Sequence, residues 1–170
     1  MKLLSLTFQG VLFFTQILSQ NPTKDFKISF REIKISNSFY SRILVIDLRT
    51  DTSNIGSVKV GGLNKKIKVV PIIPLEKQIE DGFDSLIDSS AEKGHLLLQL
   101  RRFYISESSA NLTEKGYCNF RANFNRKEGK VYVKLASIET VETHVGIDAT
   151  KGITNKGSQL IVNFLIAKFA

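Results

Sequence analysis

The sequence predicts an α+β fold, a mostly antiparallel sheet with two helices packed on one face. Three observations lead to that prediction. Leu75, Ile79, Phe83, Leu86 and Ile87 make a single apolar stripe at the 3.6-residue period, with Glu76, Lys77, Glu80, Asp81 and Asp84 opposite, which specifies an amphipathic helix. Cys118, Phe120, Ala122 and Phe124 alternate with Tyr117, Asn119, Arg121 and Asn123, which specifies a strand with one buried and one wetted face. The elements also come in blocks: several strands, a helix, three strands and a helix. A parallel sheet covered on both sides would instead alternate strand and helix throughout.

In chain order, Met1 to Gln20 carries one positive charge, Lys2, and then an apolar run interrupted by no acid. It fits the basic and apolar regions of a secretory signal cleaved after Ser19, with Ile17 and Ser19 standing where small residues are usual. An uncleaved anchor or an ordinary core helix would use the same residues. On the first reading residues 1–19 are a signal peptide and 20–170 a single domain, long enough to bury roughly two-thirds of its unfolded surface.

Phe26, Ile28 and Phe30, then Ile33 and Ile35, alternate with a phase shift at Arg31-Glu32, as in a bulged strand or two short ones. Arg42 to Arg49 is apolar on both faces and reads as a central strand. Ile55 to Val60 and Ile67 to Ile73 are shorter strands around a basic turn at Lys65-Lys66, with Pro71 marking an edge or an end. Pro74 suits the start of the helix at Leu75, and Gly94 suits its stop. His95 to Ile105 is the most apolar strand, with Gln99, Arg101 and Phe103 expected on its outer side. Ser106 to Lys115 reads as a polar loop holding a sequon at Asn111-Leu-Thr113. After Tyr117 to Phe124 and a turn at Asn125 to Gly129, Lys130 to Thr140 returns with Val131, Val133 and Leu135 inward and Tyr132 and Lys134 outward. His144 to Lys156 looks loop-like. Ser158 to Phe169 has helical spacing with Ser158 as its N-cap, although Val162 and Ile166 also suit a strand.

The chain carries 24 Lys+Arg against 16 Asp+Glu, a net charge of +8 and a surface that attracts anions. Its single cysteine, Cys118, excludes an intrachain disulfide and a cysteine-rich zinc site. His95 and His144 stand in no metal-ligand spacing, and G-x-S-x-G, P-loop and G-x-G-x-x-G patterns are absent, so no cofactor or catalytic residue is assigned. Asp47 and Arg49, at the end of a strand, are the best candidates for a polar site, although Asp is also a usual turn residue. The second candidate is the outer sheet face, where Arg101, Tyr117, Arg121, Tyr132 and Lys134 interleave aromatic rings with cations as single-strand nucleic-acid platforms do.

From Ile43 through about Phe124 the chain resembles the YajG-type envelope lipoproteins, and more faintly the auxiliary lipoproteins of ABC-type transport systems. Val45-Ile-Asp-Leu-Arg49, Ile55-Gly56, and the Leu75 to Ile87 helix leading into Leu96 to Leu100 carry the likeness. The resemblance implies a periplasmic or outer-membrane-associated domain without established catalysis. Those lipoproteins carry a lipid-modified cysteine at the cleavage site, whereas Ser19-Gln20 stands here, which implies a periplasmic or secreted chain that is not lipid-anchored. The expectation is therefore a non-enzymatic envelope accessory or binding protein with no membrane span in the mature chain. Its partner is an envelope protein or an anionic polymer such as a glycan or lipid headgroups. Export sets nucleic acid aside, unless the first residues are a core helix.

Overall fold

The computed structural model describes residues 22–167 apart from 111 and 112. The leader read in the first residues, Lys168, Phe169 and the asparagine of the sequon lie outside them. Seven strands and two helices follow in the order β1 (Thr23–Phe26), β2 (Tyr40–Asp47), β3 (Ser57–Val60), β4 (Lys65–Pro71), α1 (Leu75–Leu86), β5 (Gly94–Ala110), β6 (Thr113–Glu128), β7 (Val131–Gly146) and α2 (Thr150–Ile166). They build two sheets, a large one ordered β2-β5-β6-β7 and a small one ordered β1-β4-β3. The β2–β5 and β1–β4 pairs are parallel and the others antiparallel. The fold is thus the expected α+β class with mostly antiparallel pairing.

One core cluster lies on one side of the large sheet. Val45, Leu98, Leu100, Phe103, Ile105, Cys118, Phe120, Ala122 and Phe124 face it from the strands, Leu75, Ile79, Phe83 and Leu86 from α1, and Ile153, Ile161, Phe164 and Leu165 from α2. A file of rings runs through it. Phe26 of the small sheet meets Phe103 at 5.2 Å between centroids, Phe103 meets Phe120 edge-on at 6.3 Å, and Phe164 of α2 meets Phe120 at 5.5 Å and Phe124 at 4.9 Å. Tilted and edge-on arrangements of this kind are the favoured ones.

The small sheet is joined to the edge of β5 by backbone. The Ile105 N–H donates to the Ile55 carbonyl at 2.7 Å, and the Ile55 N–H donates to the Val69 carbonyl at 2.9 Å. Gly56 bridges to Ile105 with φ +125°, and a Cβ there would overlap the Ile105 carbonyl, so only glycine permits the approach.

Several expectations are corrected. The strand at Arg42 to Arg49 is an edge strand, not a central one; its run of apolar residues reflects a second, uncovered face. Its exposed edge is partly capped by α1, where Glu80 Oε1 accepts the Val45 N–H at 2.9 Å. The first strand stops at Phe26, and the chain beyond it wraps α1: Ile28 N–H donates to buried Gln78 Oε1 at 2.7 Å, and the Phe30 ring fills the space beside Gly82. Gly94 does not stop the helix, whose C-cap is extended Ile87; it opens β5 where the Phe39 carbonyl leaves no room for a Cβ. The expected loop at Ser106 to Lys115 is instead the tip of a long hairpin, paired from Ala110↔Thr113 inward. The next turn is tighter than expected, since Glu128 still pairs with Val131 around Gly129 at φ +59°.

The largest correction is α2. It begins eight residues before Ser158, inside the span read as loop. Gly152 and Gly157 lie within the helix. Each lets the helix lie close on the sheet, Gly152 against the His144 ring and Gly157 where even a Cβ would crowd Cys118 Sγ and the Phe103 ring, at 3.1 and 3.2 Å. Ser158 is mid-helix, and its hydroxyl accepts the Ser29 N–H at 2.8 Å.

Candidate functional site

With the helices and the small sheet gathered on one side, the other face of β2-β5-β6-β7 carries no element among the described residues. Leu44 and Ile46 of β2 and Leu48 just beyond its end project onto it and remain 49%, 40% and 48% exposed. Leu97 beside them is buried yet lies outside the core cluster. Tyr104 and Val141 are also exposed there. A merely solvated sheet face alternates to polar residues; this one keeps an apolar stripe along its edge strand.

The stripe ends at a bulge. Leu100 pairs with Ala122 and Arg102 with Arg121, so Arg101 is an extra residue, and Arg101 and Arg102 together oppose Arg121. In such a bulge the alternation is broken and neighbouring side chains are re-aimed. Arg101, Arg102 and Arg121 are all exposed, and Phe103 turns into the core, where it is 1% exposed. That corrects the expected outer trio of Gln99, Arg101 and Phe103. Arg121 has one partner, Glu139 at 3.5 Å across the β6–β7 ladder, with both side chains exposed. The pair contributes little. Neither Arg101 nor Arg102 makes a side-chain ion pair or hydrogen bond to another described residue.

Beside the bulge is a hollow of about 490 Å³, walled by Arg101, Arg102, Tyr104 and Asn119 from the sheet and by Arg49, Asp51 and Asn54 from the turn after β2. Asp47 and Arg49 are part of its foundation. Arg49 Nη2 meets Asp47 Oδ2 at 2.6 Å with side chains only 5% and 3% exposed, and the guanidinium also donates to the carbonyls of Thr52 at 3.0 Å and Asn54 at 3.2 Å. All of this ties the turn to the strand. Asp51 is held by the Ser53 hydroxyl and N–H at 2.8 and 3.1 Å, which keep its carboxyl below the usual range and thus ionised.

The other expected site residues lie along the same sheet, not in one cluster. Tyr117 is four residues along β6 from Arg121, roughly 13 Å away, under the Lys115 ammonium at 5.2 Å. Lys134 pairs with Asn125 and Tyr132 with Lys127, beyond Arg121 in the opposite direction. Leu135 is the unpaired residue of a second bulge, and Val131, Val133 and Leu135, expected inward, are exposed because the hairpin extends past the covering helices. The sequence reading thus found Arg101, Arg121 and Arg49 but missed Arg102 and Tyr104. A signal was present: Leu96, Leu98 and Leu100 keep one phase and Phe103 and Ile105 the other, and that slip marks the bulge.

A second opening, about 790 Å³, lies where the small sheet meets the start of α2. Lys24, Lys27, Lys59 and Lys151 border it, and so do Asp25, Glu114 and Asp148. The carboxylates have local work where the chain enters α2, Glu114 accepting the Ala149 N–H at 3.1 Å and Asp148 the Thr150 N–H at 2.9 Å. Behind them Glu107 Oε2 accepts the Lys59 N–H at 2.6 Å, while its other oxygen is buried without a hydrogen bond. Burial raises the Glu107 pKa; the Lys59 N–H and the Thr150 hydroxyl oppose the rise, and Glu114 and Asp148 add to it. Cys118 lies in the core, where burial pushes its thiol up to about 12, so it is no nucleophile at neutral pH. Among the described residues no group of carboxylates, histidines or cysteine is arranged to hold a metal ion, and no helix is long and apolar enough to cross a membrane.

No protein-family model matches the chain, and no curated protein matches it. Among solved structures it is similar to protein XCC0632 from Xanthomonas campestris, of the DUF330 family, at 12% identity over 83% of this chain and 90% of that one, with a TM-score of 0.45. It is also similar to an uncharacterised protein at 10% identity over 86% and 99% of the two chains, with a TM-score of 0.43.

Proposed function

We propose that this is a non-enzymatic binding protein of the cell envelope whose working surface is the open face of the four-stranded sheet. The observation that carries the reading is the face itself: an apolar stripe on β2 running into three arginines at one rung of the β5–β6 ladder, with both helices on the other side. The Asp47–Arg49 pair, the natural candidate for polar chemistry, is spent internally on the turn that follows it. The envelope location rests on the signal-like residues 1–19 and on the likeness to YajG-type lipoproteins. The arginine rung favours an anionic polymer over an uncharged partner, because like charges opposed across a ladder cost stability that an anion returns. N-terminal sequencing of the protein recovered from its native host tests the location, with Gln20 expected first; an intact Met1 in a cytosolic fraction would contradict it. Retention on immobilised dextran sulfate tests the face. It should weaken steeply with salt, and Arg101→Ala and Arg121→Ala should each elute earlier. Unchanged elution of both would remove the assignment.

A further inference from the structure

We infer that the hollow at the β5 bulge is a seat for one tetrahedral oxyanion group, a phosphate or sulfate, carried by the ligand of the open face. The inference deepens the binding reading and rests on it. Three features of the site point to this chemistry. The bulge brings Arg101 and Arg102, which both line the hollow and have no internal partner, to the rung opposite Arg121 on the neighbouring strand. Each guanidinium is a planar fork of donors, and one fork saturates a carboxylate, which offers two oxygens and one charge. Two unpartnered forks in the hollow's wall, with the charge of Arg121 on the next strand, suit a dianion whose oxygens point in more than two directions. The hollow supplies neutral polar groups at the same level, since Tyr104 and Asn119 are register partners on its wall.

The acids nearby do not fill the seat. Asp51 is turned to Ser53, and Glu139 reaches Arg121 alone, at 3.5 Å and in solvent, where an entering dianion displaces it. Arg49 is in the wall but already committed to Asp47, Thr52 and Asn54, so it stiffens the site without contacting the ligand. The apolar stripe of Leu44, Ile46 and Leu48 leads up to the seat, because the Leu48 N–H bonds to the Leu100 carbonyl at 2.8 Å, directly before Arg101.

The test is thermal denaturation of the whole protein titrated with inorganic phosphate, with sulfate and with acetate, all at one ionic strength. Phosphate, sulfate or both should raise the midpoint saturably, and which of them does so identifies the group. Acetate should not. Arg102→Gln should have two opposite effects. Without ligand its midpoint should rise by about 1–2 °C as the opposed charge is removed. Its affinity for the oxyanion should fall about tenfold or more with the lost charged donor. A variant equal to wild type in both respects overturns the inference, and so does a response to acetate equal to that with phosphate. Dextran sulfate separates the two levels of the account. If the polymer is retained while phosphate and sulfate do nothing, the face binds and the seat is wrong. If neither binds, the binding reading falls with it.

Discussion

The Asp47–Arg49 pair shows how a residue chosen for chemistry turns out to serve structure. Strand ends do gather polar sites, but here the turn from Thr50 to Asn54 needs its carbonyls satisfied, and Arg49 is the donor that reaches them. Removing one member of such a pair leaves a buried charge without its counterpart. Asp47→Ala should therefore cost about 3–5 kcal/mol in denaturant melts; a loss below about 1 kcal/mol would mean that water reaches the pair. Glu107 gives a pH dependence. Its folded pKa is raised, so the native state holds this proton more tightly than the unfolded chain, and ionisation weighs against folding. Its contribution to stability is gained as pH falls through the raised value and is absent well above it. Glu107→Gln should flatten the part of the stability profile that lies above the ordinary glutamate range, because Gln still accepts the Lys59 N–H but no longer titrates. A profile superimposable on wild type would place the titration elsewhere.

At the scale of elements, α1 was legible because a twelve-residue amphipathic helix states its period several times. Its buried residues include Leu75, Ile79, Phe83 and Leu86; the two additions are Gly82, under the Phe30 ring, and Gln78, whose side chain accepts the Ile28 N–H in a hydrogen bond that no pattern of hydrophobicity encodes. Phe83→Ala should cost about 3–5 kcal/mol through lost burial and a cavity. Asp84→Ala, on the exposed side, should change stability by less than about 0.5 kcal/mol. Equal denaturation midpoints for the two would show that the stripe does not face the core. The start of α2 was not legible, because Gly152 and Gly157 are poor helix formers chosen for close packing on His144, Cys118 and Phe103, and packing outweighs propensity there. The bulge at Arg101 was overlooked for a related reason: one unpaired residue shifts every later side chain to the other face. Strict alternation therefore put Phe103 outside and hid Arg102 and Tyr104.

For the molecule as a whole, the sequence contains the choice of α+β and the gathering of helices on one side. It does not contain the order of the strands. β2 lies next to β5 in parallel, across a connection holding a hairpin and a helix, and the hydrophobic pattern of β2 is equally consistent with burial on both faces. The difference matters for function, since an edge strand with Leu44, Ile46 and Leu48 facing outward supplies a binding surface where a central strand would supply only core. Lysines and arginines border two surfaces of the molecule, the arginine rung of the open face and the opening at α2. The second holds carboxylates among its lysines and is close to neutral; the first concentrates positive charge.

The most direct test sets those surfaces against each other. The salt concentration that elutes the protein from dextran sulfate should be compared for wild type, the double variant Arg101→Ala/Arg121→Ala, and the double variant Lys24→Ala/Lys151→Ala, each with the same loss of two positive charges. If the open face is the working surface, the arginine variant elutes at markedly lower salt and with a shallower salt dependence, while the lysine variant stays near wild type. Equal shifts in both, or a larger shift in the lysine variant, would contradict the account.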